Sequence, residues 1–296
     1  MDWWNVRETA QVWGVSERSV RNYCAEGRVP GAVRNGKEWQ IPADAEKPER
    51  LNKRQTLPNT LPERLRFEKD AGIKGGIYHH VQVQLTYNSN HIEGSRLSED
   101  QTRLIFETNT LGGTQVFVDD VLETANHFLC VDKVIDSYNR PLSEAFIKDL
   151  HRTLKNGTTD SRQDWFAVGE YKRIANEVGG KETTPPELVP GEMKALLQNY
   201  AALPNIGWDD IIRFHHDFEA IHPFQDGNGR IGRLILFKEC LRAGIVPFII
   251  ADREKFLYYN GLAKWEESHE YLSETCRLMQ DDFRAVLSYF GLKEGA

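Results

Sequence analysis

His222-Pro-Phe-Gln-Asp-Gly-Asn-Gly-Arg-Ile-Gly-Arg233 places an imidazole, a carboxylate, carboxamides, three glycines and two arginines within twelve residues. Ile211, Phe214, His215, Phe218, Ile221 and His222 lead in at spacings of three and four, and Ile231, Leu234, Ile235, Lys238 and Leu241 lead out in the same way. The periodicity predicts a helix end, a tight loop and the first turns of a second helix. Gly227 and Gly229 allow positive φ and leave no side chain to block a ligand. The second helix would offer free N–H groups and its positive dipole end to an anion. Arg230 and Arg233, three apart, share a face there. The dipole contributes only ~0.3–1 kcal/mol per exposed charge. Charge-assisted arginine contacts contribute ~1.5–3 kcal/mol each and dominate the expected phosphate site. Asp226 stands where a divalent cation would bridge carboxylate and phosphate oxygens. His222, on the stripe of Phe218, is a candidate general base.

Two other readings of the same stretch are weaker. Gly227-x-Gly229-x-x-Gly232 matches the dinucleotide fingerprint, which should follow a strand, whereas here an amphipathic helix and Pro223 precede it. His216-Asp217 suggests an HD-type metal phosphohydrolase, but the further His and Asp ligands of such a site do not stand out.

The stretch resembles the Fic family motif HxFx(D/E)GNGRxxR, matching at every fixed position. Members that it resembles transfer AMP from ATP to a hydroxyl of a target protein. The resemblance implies that His222 deprotonates the hydroxyl and Asp226 holds Mg²⁺. It implies that Phe224, Gly227, Asn228 and Gly229 belong to the nucleotide site around the α- and β-phosphates. Arg230 and Arg233 would hold the distal phosphates. Kinase relatives of the Doc type carry Lys where this chain has Gly229, which argues against phosphate transfer. The fold class expected is a mainly helical Fic bundle with a small β-hairpin flap, spanning roughly residues 77–290 within a domain of 77–296.

Ser89-Asn-His-Ile-Glu93-Gly94 closes a helix predicted from Ile77, with Tyr78, Val81, Leu85 and Ile92 on one stripe. Glu93 brings a carboxylate to the last turn, where the dipole disfavours it, and Gly94 is a natural stop. This segment resembles the family's inhibitory motif (S/T)xxxE(G/N). By that resemblance Glu93 pairs with Arg233 and Ser89 lies on the same face.

Further helices are expected over 98–109, with Ser98 and Gln101 as a capping box, and over 119–138, 142–154, 187–203, 252–265 and 271–290. Gly169-Glu-Tyr-Lys172 and Glu177 to Pro186 are not helical. They resemble the Fic flap, with Val178, Gly179 and Gly180 docking an extended target segment by β-augmentation; the family often has Arg where Lys172 stands. Tyr258-Tyr259-Asn-Gly-Leu resembles the segment lining the adenine pocket, and either ring is a candidate.

Residues 1–47 read as a separate small domain. A helix from Val6 to Trp13, a turn at Gly14-Val15, a helix capped by Ser16 and running to Ala25, and a strand over 38–41 are expected. Ala10, Val15, Val20 and Tyr23 would form its core. The order resembles the winged helix-turn-helix of excisionase and MerR-like families. That places Arg18, Arg21 and Asn22 on the DNA-facing surface and Arg34 and Lys37 on the wing. Seven basic and seven acidic residues leave the segment neutral, so DNA affinity would be weak or need a dimer. A protein-docking or homodimer role is the alternative. Residues 48–76 are expected as a basic, partly extended connector, broken by Pro48, Pro58 and Pro62 and carrying Arg50, Lys53, Arg54, Arg64, Arg66 and Lys69.

The whole chain, 296 residues with net charge −7, carries no overall nucleic-acid signature. It holds no apolar run near ~18 residues and so predicts no membrane partner. Cys24, Cys130, Cys240 and Cys276 are widely spaced without CxxC, which fits a reduced, cytoplasmic setting. The function expected is a self-inhibited, Mg²⁺-dependent protein adenylyltransferase using ATP, acting on a target protein or on itself. A hydrolase removing AMP through the same pocket and a DNA-binding regulator with a ligand-sensing Fic fold are the alternatives; a sensor would not need His222.

Overall fold

The computed structural model describes residues 2–25, 27–36, 38–48, 57–113 and 115–293. The chain divides into two compact units, residues 1–56 and 57–296.

In the first unit, strand β1 (Trp3–Trp4) precedes α1 (Val6–Trp13) and α2 (Glu17–Ala25), then β2 (Val33–Asn35) and β3 (Glu38–Pro42). Asn5 caps α1 in a capping box with Glu8, and Ser16 accepts from the Ser19 N–H ahead of α2. The strands form an antiparallel sheet in the order β1-β3-β2, in which Trp4 faces Ile41 and Arg34 faces Trp39. Sequence reasoning found β3 and missed the two short partners. Val6, Ala10, Trp13, Val20, Cys24, Val29 and Ile41 fill the core, while Val15 and Tyr23 only flank it. Arg18, Arg21, Asn22 and Arg34 are exposed; Lys37 lies outside the described residues.

The second unit begins with α3 (Leu61–Asp70), where an extended connector was expected. Leu65 is fully buried in it, and Glu68 accepts a 2.9 Å bond from the Tyr78 backbone N–H at the start of the next helix, α4 (Ile77–Ile92). Leu61 and Leu65 join the main core, and a carboxylate at a helix N-terminus offsets free N–H groups and the dipole, so this charged segment has both an apolar anchor and a polar one. The basic residues Arg50, Lys53 and Arg54 lie outside the described residues. Helix α4 is buried on more than the one stripe expected: His79, Gln82, Thr86, Asn88, Ser89 and Asn90 are buried along with Val81, Leu85 and Ile92.

Helices α5 (Glu99–Thr108), α6 (Val118–Ser137) and α7 (Glu144–Leu154) follow, α5 with the expected Ser98–Gln101 box. A hairpin of β4 (Glu177–Val178) and β5 (Lys181–Glu182) comes next. Its turn, Gly179-Gly180, has φ of 58° and 76°, the two positive values that a type I′ turn needs. Helices α8 (Val189–Ala201), α9 (Trp208–Ile221), α10 (Asn228–Arg242), α11 (Lys255–Ala263) and α12 (Glu270–Tyr289) complete the bundle. The 252–265 helix is shorter than expected: Asp252–Glu254 forms a 3-10 turn before α11.

Helix α10 is the axis. Every residue from Asn228 to Leu241 is buried, including Arg230, Arg233, Lys238 and Glu239. A helix enclosed on all sides has no polar face, so its charges must find partners inside. Lys238 does so through Glu239 at 3.0 Å and the Arg140 carbonyl at 2.6 Å.

Candidate active site

The site lies where α9 ends and α10 begins. His222 takes the left-handed conformation, φ 52° and ψ 61°, and its N–H donates to the Phe218 carbonyl at 3.0 Å. Among residues other than glycine, Asn, Asp and His are several-fold enriched in this region. Burial lowers the imidazole to about 4, and Lys172 pushes it the same way against the Glu219 carbonyl, Glu93 and Asp226. At neutral pH the ring is therefore uncharged and able to accept a proton.

The loop after His222 is stapled from within. The Asn228 carboxamide accepts from the Phe224 N–H and donates to the Phe224 carbonyl, both at 2.8 Å. Gly227 then sits at φ 84°, turning the chain into α10. Gly229 does not use positive φ; it is helical, and what matters there is the missing side chain. A Cβ there would lie 2.2 Å from Glu93 Oε1.

Two residues that the sequence did not single out fix this loop from α7. The Gly169 N–H donates to His151 Nδ1 at 2.8 Å, so Nδ1 is an acceptor and Nε2 carries the hydrogen. His151 Nε2 accordingly donates to the Asp226 carbonyl at 3.1 Å. Burial holds His151 neutral, at about 3, and its ring stacks on Phe224 at 4.0 Å. Lys155 Nζ reaches Asp226 Oδ2 at 2.5 Å. Glu123, from α6, bonds both Lys155 and Arg230. For His151 and Lys155 the sequence signal is their four-residue spacing at the end of α7, which many structural helices share.

Arg230 does not stand free for a phosphate. Besides Glu123 it holds Asp226 Oδ2 at 3.0 Å. Burial would raise the Asp226 carboxyl, but Arg230 and Lys155 overcome it and hold the group well below the usual carboxylate range. No group of three or more His, Cys, Asp or Glu side chains gathers around a cation position among the described residues. One ionised carboxylate still fits Mg²⁺ of the kind held by a carboxylate and substrate phosphates, and fits no all-protein cage.

Arg233 is claimed by α4. Its Nε donates to Ser89 Oγ at 3.0 Å, and its NH2 donates to the Ser89 carbonyl at 2.9 Å and to Glu93 Oε1 at 2.6 Å. The Glu93 carboxylate thus lies against the first turn of α10, where an anion is favoured. Glu219 stands behind the pair. Burial pushes its carboxyl up to about 8; Arg233 opposes that and Glu93 adds to it.

The remaining expectations divide. The Phe224 ring is wholly buried and has no face for a nucleotide. The Asn228 side chain is spent on the loop, so only its backbone can line a phosphate hole. Of the two tyrosines, Tyr258 is buried with its hydroxyl 2.8 Å from His215 Nε2, while Tyr259 is 42% exposed. Of the two rings, only that of Tyr259 is open to solvent. Val178 is exposed on the hairpin. His216 bonds Asp217 and stacks on Trp265, and among the described residues no group of three His, Cys, Asp or Glu forms there. An amphipathic helix, not a strand, precedes Gly227, which removes the dinucleotide reading.

Residues 141–239 match the Fic/DOC family. A curated relative, "Protein adenylyltransferase Fic" of Culex quinquefasciatus, is 31% identical over 232 residues, which is 74% of this chain and 43% of that protein. The Drosophila melanogaster protein of the same name is 32% identical over 193 residues, 60% of this chain and 36% of its own length. The chain thus spans less than half the length of these curated relatives. Among solved structures, a Fic domain containing signaling protein from Bacteroides thetaiotaomicron superposes with TM-score 0.62 at 22% identity, covering 79% of this chain and 98% of that one. A Fic-1 fragment from C. elegans does so at 0.62 and 19%, covering 78% and 71%. The 222–233 motif falls inside the family match, the fold is shared with these Fic structures, and the chain carries a Fic domain.

Proposed function

We propose that the chain is a self-inhibited protein adenylyltransferase. A Ser, Thr or Tyr hydroxyl of a target protein, or of the chain itself, attacks the α-phosphorus of ATP. The new O–P bond forms as the bond to the β-phosphate oxygen breaks, pyrophosphate leaves with the electron pair, and His222 takes the hydroxyl proton. The names of the curated relatives support this chemistry. So does a neutral imidazole beside a glycine loop that opens a helix. Catalysis would rest on positioning and charge stabilisation. Asp226 is the residue to hold Mg²⁺, which supplies charge neutralisation on the phosphates when bound. Tyr259 offers the ring for adenine, and the 177–182 hairpin offers the edge for the target strand.

The observation that carries the self-inhibited reading is the 2.6 Å Glu93–Arg233 pair. It puts a carboxylate where Arg233 would grip the γ-phosphate. Incubating the protein with α-labelled ATP and Mg²⁺ tests the reading: label should enter protein slowly. Release of AMP from pre-labelled protein, with no uptake, would establish the hydrolase instead. The first unit is proposed to contact DNA through Arg18, Arg21 and Asn22.

A further inference from the structure

Lys172 is nearly wholly buried, and no carboxylate faces it among the described residues. Its ammonium donates to Thr183 Oγ1 at 2.5 Å, to Asn176 Oδ1 at 2.8 Å and to the Ile221 carbonyl at 3.5 Å. An ammonium has three donors, and here all three are occupied. Nothing is left for a phosphate, so the residue is no ligand. Burial without a counter-charge lowers it to about 8. Keeping a cation there costs stability, which the three acceptors only partly offset.

Those acceptors come from two places. Asn176 and Thr183 flank the hairpin on either side and also bond each other, Thr183 Oγ1 to Asn176 Oδ1 at 2.6 Å. Ile221 ends α9, where a cation meets the negative end of the dipole. The Lys172 N–H also donates to the Pro223 carbonyl at 2.8 Å. One residue therefore bonds the carbonyls on both sides of His222, whose own backbone is in the left-handed region. Asn176 Nδ2 adds a 3.3 Å bond to the Phe224 carbonyl. At its far side the hairpin is held by Lys181, whose Nζ lies 3.3 Å from the Ala263 carbonyl at the end of α11.

The geometry points to Lys172 as a positioning residue that registers the target-docking hairpin on the catalytic histidine. The hairpin decides where a target hydroxyl arrives, and His222 decides where its proton goes. A single buried ammonium joins the two. This inference rests on the adenylyl-transfer reading, because it concerns the hydroxyl side of that reaction.

The experiment uses the full chain with Glu93→Gly to raise the signal, and compares added Lys172→Met, Lys172→Arg and Thr183→Val. Hydrogen exchange over residues 174–183, binding of a fluorescent ATP analogue, and self-labelling from α-labelled ATP are read on each. Lys172→Met should speed hairpin exchange and slow labelling by roughly tenfold or more, with nucleotide binding unchanged. Lys172→Arg should restore most of both. Thr183→Val, which removes one acceptor near the surface, should loosen the hairpin alone and slow labelling less. Unchanged hairpin exchange in Lys172→Met and Thr183→Val would overturn the proposal. So would a loss of nucleotide binding equal to the loss of labelling. Exchange and nucleotide binding are read without turnover, so absence of labelling in every variant would defeat the adenylyl-transfer reading and leave the joint itself decided.

Discussion

Glu93 Oε1 and the Arg233 guanidinium are 2.6 Å apart, with Arg233 only 2% exposed and also bonded to Ser89. Nε and NH2 of the guanidinium meet a carboxylate and two neutral acceptors, while its buried NH1 has no acceptor among the described residues. The pair is a structural contact, and on the self-inhibited reading proposed above it would also stand in the way of the γ-phosphate.

Replacing Glu93 by Gly should raise self-labelling and target labelling by about tenfold or more, ~1.4 kcal/mol for each factor of ten. Arg233→Ala should not reproduce the gain, since it removes the phosphate contact with the restraint. Purified proteins, labelled ATP and Mg²⁺ suffice. Equal rates for Glu93→Gly and the parent would reduce the pair to scaffold.

His222→Ala should abolish transfer while ATP still binds, because the imidazole acts on the hydroxyl and not on the phosphates. The base form of a group at about 4 is present above that value and lost below it. On this account kcat/KM stays level from pH 8 down to 5 and falls only near pH 4. Transfer retained in His222→Ala above roughly a tenth of the parent would remove the histidine as base, a role worth ~10²–10⁴-fold. An acid limb centred near pH 6.5 would show that the ring is not held neutral.

Asp226→Ala should weaken nucleotide binding with Mg²⁺ and leave binding without it much closer to the parent. Titrating ATP with and without the cation reads this out. An unchanged metal dependence would mean that phosphates alone hold the cation.

Glu219 should make stability fall as pH rises. Its folded carboxyl stays protonated to about 8, whereas an unfolded one ionises near 4.5. Between these values the unfolded state binds fewer protons, so the folded state loses ground with increasing pH. Glu219→Gln should melt higher than the parent at pH 7.5 and no higher at pH 4. Thermal unfolding at the two pH values decides it, and a variant that melts lower at pH 7.5 would refute the neutral carboxyl.

Arg18 and Arg21 are exposed on the first unit, and Arg21 holds Glu17 at 2.7 Å. An exposed pair of this kind contributes only ~0–1 kcal/mol and would yield to a phosphate. A mobility shift at low salt with duplex DNA from the chain's own upstream region should be seen with the parent and weaken in Arg21→Ala. No shift, or an equal shift for both, would leave the docking or dimer role.

The residue pattern by itself determined the helices and the loop between α9 and α10, because period and glycine placement are local properties of the chain. It also marked Glu93 as out of place, since a carboxylate at a helix end conflicts with the dipole whatever lies nearby. It marked Gly94 as the stop just past α4, and Gly94 takes φ 94°. It misread residues 61–70 as connector because the group that rewards their folding, the Tyr78 N–H, belongs to another helix.

What only the tertiary structure decided is which charge meets which. Arg230 and Arg233 look equivalent in the sequence, three residues apart on one helix. Burial of α10 forces each to take the partners that other helices bring: Glu123 and Asp226 for Arg230, Ser89 and Glu93 for Arg233. The same enclosure made Tyr258 core and left Tyr259 exposed, committed the Asn228 side chain to the loop, and brought His151, Lys155 and Lys172 to the loop from distant segments. Spacing along a chain records which face a side chain takes. Only packing fixes what that face meets, and for ionised groups in a dry interior the meeting sets both the charge and the role.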